Sequence, residues 1–295
     1  MQITQGSLSS VFTGLQAKFL AALDAAENPD IERLMDSVPS TTGSENYPTG
    51  ALLGDLEEVL DEVTITGIGA FVQNVANRTF ARAIEVRRDD IADDNIGVYG
   101  VPVQQLARRA AAYPLRLASD VLLSGFSDTW IDDTTVYSAT HEWVGGTAWS
   151  NLQTTALDAD ALDEAILALE TRTGPGGEPL ALSANLLICS PAVRSAAETL
   201  LELLQSAAGA SNRQYKKADL LVMGRWGSST RWLLMDIDPI RPLVLQDREG
   251  PEFTAQDNET DDAAFLREVY RYKARRRCAV AILAPWLIQA SNGTT

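Results

Sequence analysis

The sequence predicts an α+β chain that is completed by assembling with copies of itself, and three observations carry that expectation. An amphipathic helix stands near the N-terminus with no partner element beside it. A two-stranded β-ribbon follows with nothing to support it. A strand–helix–strand unit of different texture occupies residues 157–249, so the segments on either side must close around it.

Residues 8–26 read as the helix. Ser7 or Ser9 can cap it, and Phe12, Leu15, Phe19 and Leu23 recur at helical spacing. Asn28-Pro29 ends it, and its apolar stripe needs a remote partner, in the same chain or in a neighbour. Residues 39–54, rich in Ser, Thr, Gly and Pro, read as irregular. The ribbon comes next. Residues 63–75 are β-rich, residues 76–78 can turn the chain, and from Phe80 the pattern alternates, with Phe80, Arg82, Ile84 and Val86 on one face. A free two-stranded ribbon is marginal in water, so it is expected to lie on another subunit. After an acidic cluster at 89–95, Pro102 opens a helix whose stripe is Val103, Leu106, Ala110, Leu117 and Val121, and Pro114 should kink or restart it.

The Trp-rich stretch 130–149 reads as a loop with short strands. Then come a helix (160–171), a Gly-Pro-Gly-Gly break at 174–177 and a buried strand (184–189). Ser190 and Pro191 open a helix to about 207, and apolar strands follow at 219–223 and 232–237. Residues 266–283 form one long strand.

The chain has 295 residues, 45% hydrophobic and 22% charged, which suits one large or two modest folded domains. It carries no run of eighteen apolar residues and no basic-then-apolar leader, so neither a membrane span nor a secretory signal is expected. Cys189 and Cys278 have neither disulfide-framework nor zinc spacing. A net charge of −16 argues against a dedicated nucleic-acid binder, though not against a shell that encloses nucleic acid without gripping it.

Charge is unevenly placed. Residues 1–62 hold eleven acids and two bases; residues 247–262, which read as an acidic linker after the apolar run 242–245, hold seven acids and one base; residues 267–277 hold six bases and one acid. Two opposite blocks so close in one chain suggest a surface that meets copies of itself. Only four of the cations are Lys, and Arg is the usual interface cation because its planar fork pairs with carboxylates. The candidates for contact between subunits are the helix stripe Phe12, Leu15 and Phe19, the cations Arg78, Arg82, Arg87, Arg271, Arg275 and Arg277, and the acids Glu249, Glu252 and Asp257.

Chemistry-bearing patterns are weak. The single histidine, His141, has no second His with which to build a zinc site. Asp257, Glu259, Asp261 and Glu268 fall at positions one, three, five and twelve of a calcium loop, but Asp262 stands where that loop needs Gly. A solvated acidic loop, or a carboxylate patch that meets arginines, is the better reading. Asp89, Asp90, Asp93 and Asp94 read as helix N-terminal acids. The glycines at 174–177 lack the Lys-Ser/Thr end of a phosphate loop. No catalytic residue, metal or cofactor is expected.

Four blocks resemble one family, in the same order. They are QGSLSSVFTGLQAKF (5–19), VPSTTGSENY (38–47), IEVRRDDIADDNIGVYGVPVQQLARRAAAYP (84–114), and IRPLVLQDREGPEFTAQD with DDAAFLREVYRY (240–272). Together they resemble the major head subunit of Mu-like phages. The chain departs from that family's pattern at YKARRRCAVA (272–281) and ATHEW (139–143).

The resemblance implies the Hong Kong-type (Johnson) fold of tailed-phage major capsid proteins. The parts would be an N-terminal arm (1–34), an extended loop (35–88), a peripheral domain (89–150 and 250–295) with a spine helix, and an axial domain (151–249). It implies a structural role in the virion: hexameric and pentameric capsomers of this chain, built in the bacterial host cytoplasm, forming an icosahedral head around double-stranded DNA. A separate scaffold, a portal and a decoration protein are the implied partners; sequence-specific DNA contacts and membrane contacts are not. Some relatives of the fold lock the shell through a Lys on the extended loop, but residues 35–88 contain no Lys, so that amine is missing here. Two other readings remain: a nanocompartment of the same fold that holds cargo, and a monomeric α/β enzyme built on residues 157–249.

Overall fold

The computed structural model describes residues 4–50, 71–93, 95–144, 146–205 and 211–294. In chain order, α1 (Gln5–Asp24) opens from a capping box in which Thr4 and Ser7 each bond the other's backbone N–H. Asn28 caps α2 (Pro29–Leu34), so Asn28-Pro29 both ends one helix and starts another. Then follow β1 (Met35–Pro39), β2 (Ser44–Thr49), β3 (Phe71–Ala76), β4 (Arg78–Arg87), α3 (Arg88–Ala92), α4 (Gly100–Ala111) and α5 (Tyr113–Ser124). Pro114 sits in the first turn of α5, where its missing N–H costs nothing, so the helix restarts as expected.

The short strands β5 (His141–Glu142), β6 (Ala148–Trp149) and β7 (Leu152–Gln153) precede α6 (Ala159–Glu170), β8 (Leu186–Cys189), α7 (Arg194–Leu201), β9 (Asp219–Val222) and β10 (Trp232–Met235). The chain closes with β11 (Leu243–Gln256), α8 (Asp262–Arg267), β12 (Val269–Ile282) and β13 (Ile288–Ser291). Among the described residues no helix is long and apolar enough to cross a membrane.

Two sheets organise the molecule. The first has the order β1-β11-β12-β4, parallel at its first pair and antiparallel elsewhere. The second has the order β7-β13-β10-β8-β9. Its β8 and β10 alternate between two cores. Leu186, Ile188, Leu233 and Met235 face a central cluster with α5 and five tryptophans; Leu187, Cys189, Trp232 and Leu234 face α6 and α7. The first sheet divides in the same way. Leu243 and Leu245 join the central cluster, and Val244 points to the opposite face, where it meets Val75, Ala279 and Ala281.

Five expectations differ from the structure. The ribbon pairs β2 with β3, whereas β4 joins β12 in the first sheet; the expected partner residues 63–70 lie outside the described residues. The ribbon also rests on its own chain: the Tyr47 hydroxyl lies 3.0 Å from Gln246 Oε1, and Gln246 Nε2 donates to the Val75 carbonyl at 3.2 Å. The acidic stretch after Leu245 is strand, not linker, as far as Gln256, with bulges between Asp247 and Glu252. Finally, β13 returns from the C-terminal segment into the second sheet, between β7 and β10. The expected helix from Ser190 is shorter than the pattern suggested; it is helical from Arg194, and residues 206–207 lie outside the described residues.

Candidate assembly surfaces

The two charge blocks face each other within the chain. Antiparallel pairing of β11 with β12 sets Glu249 opposite Arg277 and Glu252 opposite Arg275, and β4 sets Glu85 opposite Arg271. Arg275 pairs with Glu249, Arg277 reaches the same carboxylate at 3.7 Å, Arg276 reaches Asp247 at 3.0 Å, and Arg271 reaches Glu85 at 2.9 Å. The hydrogen bond from Arg275 holds the Glu249 carboxyl below the usual carboxylate range. Glu249, Arg271, Arg275 and Arg277 thus have partners within their own chain. A hairpin-like fold-back places the blocks in register, because the sequence between them is just long enough for α8 and its loop.

Glu252, Asp257, Arg78 and Arg82 have no ion pair among the described residues, and Arg87 reaches only the exposed Asp89 at 3.9 Å. Asp257 is half-buried, and burial raises its carboxyl above the ordinary value. The alternation along β12 explains the division of labour. Tyr270, Tyr272 and Ala274 are buried on one face, while Arg271, Lys273 and Arg275 lie on the other.

The helix stripe is also satisfied at home. Leu15 and Phe19 are buried, and Phe12 is half-buried. Phe19 stacks on Phe253 with ring centroids 4.8 Å apart; Phe12 stacks on Phe253 at 5.9 Å and on Tyr272 at 6.4 Å. Of the two docking sites left open for α1, its own chain supplies this one, and Phe12, Leu15 and Phe19 pack against it. The signal was present in the sequence: Phe253 and Tyr272 recur on strands whose other face is charged, and such a face needs an apolar cover.

His141 is a structural residue. It is fully buried, stacked on Trp149 at 4.2 Å and edge-on to Trp130 at 5.5 Å. Its Nδ1 lies 2.6 Å from Asp132 Oδ2, and its Nε2 donates to the Val136 carbonyl at 3.1 Å. Burial pushes the Asp132 carboxyl up, but hydrogen bonds from His141 and Thr134 outweigh it and hold Asp132 below its ordinary value. Sequence reasoning missed Asp132; its only signal was an acid nine residues from a lone histidine in an apolar stretch.

The glycines at 174–177 form a turn, closed by Gly177 N–H to the Gly174 carbonyl at 3.0 Å. In the acidic loop, Glu259 meets Arg88 at 3.8 Å, and Asp261 accepts from the Asn258 N–H at 3.1 Å. Among the described residues no group of three or more His, Cys, Asp and Glu is placed to hold a metal ion. Asp94 lies outside the described residues.

A long two-edged sheet, a second sheet packed on it through a tryptophan-rich core and a ribbon laid across the back form one architecture, and comparison with known proteins identifies it. The family model described as the Mu-like prophage major head subunit gpT matches residues 8–156, 144–226 and 222–293. The chain belongs to this family. It is a family of structural head subunits, not of enzymes.

Two relatives agree. The major capsid protein of Escherichia phage Mu is 28% identical over 141 residues, covering 48% of this chain and 46% of that protein. The FluMu major head subunit of Haemophilus influenzae is 28% identical over 139 residues, covering 47% and 45%. The matched stretch thus spans about half the length of each relative. Among solved structures, the procapsid of bacteriophage JBD30 superposes with a TM-score of 0.63 at 24% identity, covering 98% of this chain and 76% of that one. The fold is the Hong Kong-type fold of phage capsid proteins, as the sequence blocks implied.

Proposed function

We propose that copies of this chain build an icosahedral phage head around double-stranded DNA, with hexameric and pentameric capsomers as the repeating units. The observation that carries this reading is the head-subunit family match, which runs from residue 8 to residue 293. The fold parts follow. Residues 1–34 act as the arm, residues 35–88 as the extended loop with its ribbon, and residues 89–150 and 250–295 as the peripheral domain, with α4 and α5 as its spine. Residues 151–249 form the axial domain, to which β13 adds a strand.

The chain works in the virion after assembly in the host cytoplasm, with a separate scaffold and a portal, and with non-covalent contacts or a decoration protein holding the shell. Its net charge of −16 supports a wall that encloses DNA without sequence-specific grip. The edge of the first sheet that is unpaired among the described residues, with Arg78, Arg82 and Arg87 on β4, and the exposed acid Glu252 on β11 support contacts between subunits, with Asp257 on the loop that follows. The two alternative readings, cargo compartment and enzyme, have no comparable support.

Electron microscopy of the expressed chain, with and without its scaffold, tests the proposal. Closed particles of uniform size are expected; a chain that stays monomeric under both conditions overturns it. Because residues 35–88 lack Lys, the shell should be non-covalent, and particles boiled with reductant should run near 31.9 kDa on a denaturing gel. A ladder of covalent oligomers would contradict that.

A further inference from the structure

We infer that an arginine-walled cleft between β4, β12 and the α4–α5 joint receives the acidic α1–α2 corner of a second copy of this chain. The inference rests on the assembly reading above and names one surface that would carry it.

The cleft has a volume of about 560 Å³. Five guanidinium groups line it: Arg82 from β4, Arg109 and Arg116 from the spine helices, and Arg275 and Arg276 from β12. Three of them already have carboxylate partners in their own chain: Arg275 with Glu249, Arg276 with Asp247 at 3.0 Å, and Arg116 with Asp120 at 3.8 Å. Arg82 and Arg109 are exposed and have no ion pair among the described residues. The floor between them is apolar. Phe80 and Tyr113 meet with ring centroids 4.5 Å apart, and Leu106 lines the same space. The occupant must therefore bring about two carboxylates and an apolar side chain, in convex shape.

The α1–α2 corner has that composition. Asp24, Glu27 and Glu32 are exposed, Asp30 is half-buried, and none of the four has an ion pair among the described residues. Leu20, one helical turn before Asp24 and on the same face, is 48% exposed. An apolar residue flanked by two free carboxylates matches an apolar floor flanked by two free guanidiniums.

The corner and the cleft share no ion pair among the described residues, which leaves their free charges to a second copy. The corner runs directly into β1, one edge of the first sheet, whereas the cleft lies along β4, the opposite edge. Four strands separate the two edges by about 14 Å at the usual strand spacing. One copy presents the cleft and the next presents the corner. Such head-to-tail contacts close into rings when the rotation allows. A nucleic-acid strand is the less favoured occupant. The cleft offers two free cations rather than a continuous track, and the chain as a whole is strongly negative.

The test uses charge exchange in full-length chains. Arg82→Glu with Arg109→Glu reverses the cleft; Asp24→Arg with Glu27→Arg reverses the corner. Each pair alone should cut particle yield by roughly tenfold or more, because like charges facing across an interface suppress association. A chain carrying all four substitutions should recover most of the yield. Failure of the four-substitution chain to recover, while each pair alone remains folded by circular dichroism, overturns the inference.

A conservative second measurement covers the case in which the reversals unfold the chain. Arg109→Lys keeps the charge and adds an amine that carbodiimide can join to a carboxylate in direct contact. Mass spectrometry of assembled material should find that amine linked to residues 24–32 of another copy. Linkage to another acidic stretch, or none in well-formed particles, overturns the inference. So does a reversed cleft that gives normal particles holding less nucleic acid. If the unsubstituted chain forms no particles in the same assay, the shell reading itself has failed. If it does and the reversed cleft assembles equally well, only this inference has.

Discussion

In the second sheet every residue of β8, β10 and β13 is buried; in the first, burial alternates along β12 and charged side chains line the open face. Helices α6 and α7 cover one side of the second sheet, and the tryptophan core covers the other. The first sheet is covered by α1 and α4 at one end and by the ribbon on its back, which among the described residues leaves β4 as a free edge beside an open cleft. The second sheet is complete in one chain, whereas among the described residues the first keeps a row of unpaired backbone groups on β4 and two arginines there, Arg78 and Arg82, without an ion pair.

The largest effects should come from the completed parts, and they also test whether α1 belongs with them. Trp232 is fully buried, and its Nε1 donates to the Thr155 carbonyl at 3.2 Å. Phe19 is equally buried, under α1. Trp232→Ala and Phe19→Ala should each destabilise the isolated chain by about 3–5 kcal/mol, since each leaves a large cavity. Urea unfolding of dissociated chain measures both. If Phe19→Ala leaves that unfolding unchanged while Trp232→Ala does not, α1 packs on a neighbour and the comparison must be redrawn.

The next effect lies in the shared core. Removing one partner of a buried pair leaves the other unsatisfied, so Asp132→Asn should cost about 3 kcal/mol through its contact with His141. The pH dependence follows from the depressed Asp132 pKa. A carboxyl lowered on folding stabilises the native state above its unfolded value, about 4, and that contribution is lost as pH falls through the lower folded value. The gap between the two chains should therefore be full at neutral pH and narrow in acid. A gap that widens below pH 4 would contradict the assignment.

Legibility in the sequence followed the same division. Residues that fill one complete core with a strong period were readable: α6, β8, β9, β10 and β12 lie where the apolar pattern put them, and Pro114 restarts the helix as its ring dictates. Elements whose reason lies far along the chain were not. Glu249 and Glu252 make β11 look like a solvated linker until Arg277 and Arg275 arrive opposite them, and β2 hides in a Ser- and Thr-rich stretch because β3 supplies its partner. The assembly candidates divide likewise. Arg82 remains available in the cleft, whereas Phe19 and Arg275 were already engaged at home. Arg109 and Arg116, seven residues apart on successive helices, were the readable hint of the cleft.

The smallest effect belongs to the charge ladder on the first sheet's open face. Glu249 binds Arg275 and Arg277, and Glu249→Gln removes the charge while keeping the shape. Exposed pairs contribute little because solvent screens them and both long side chains must be ordered. The shift in the urea midpoint should be small, well below that of Asp132→Asn. Its sign is fixed by the depressed Glu249 pKa: the carboxylate stabilises above the unfolded value, and the benefit disappears as pH falls through the folded one. It should also shrink in 1 M salt, where the screening length falls to about 3 Å. A large, salt-insensitive loss in Glu249→Gln would mean that the ladder is desolvated in the dissociated chain. The open face would then belong with the completed parts of the molecule, and the contrast between the two sheets would narrow to the β4 edge and its cleft.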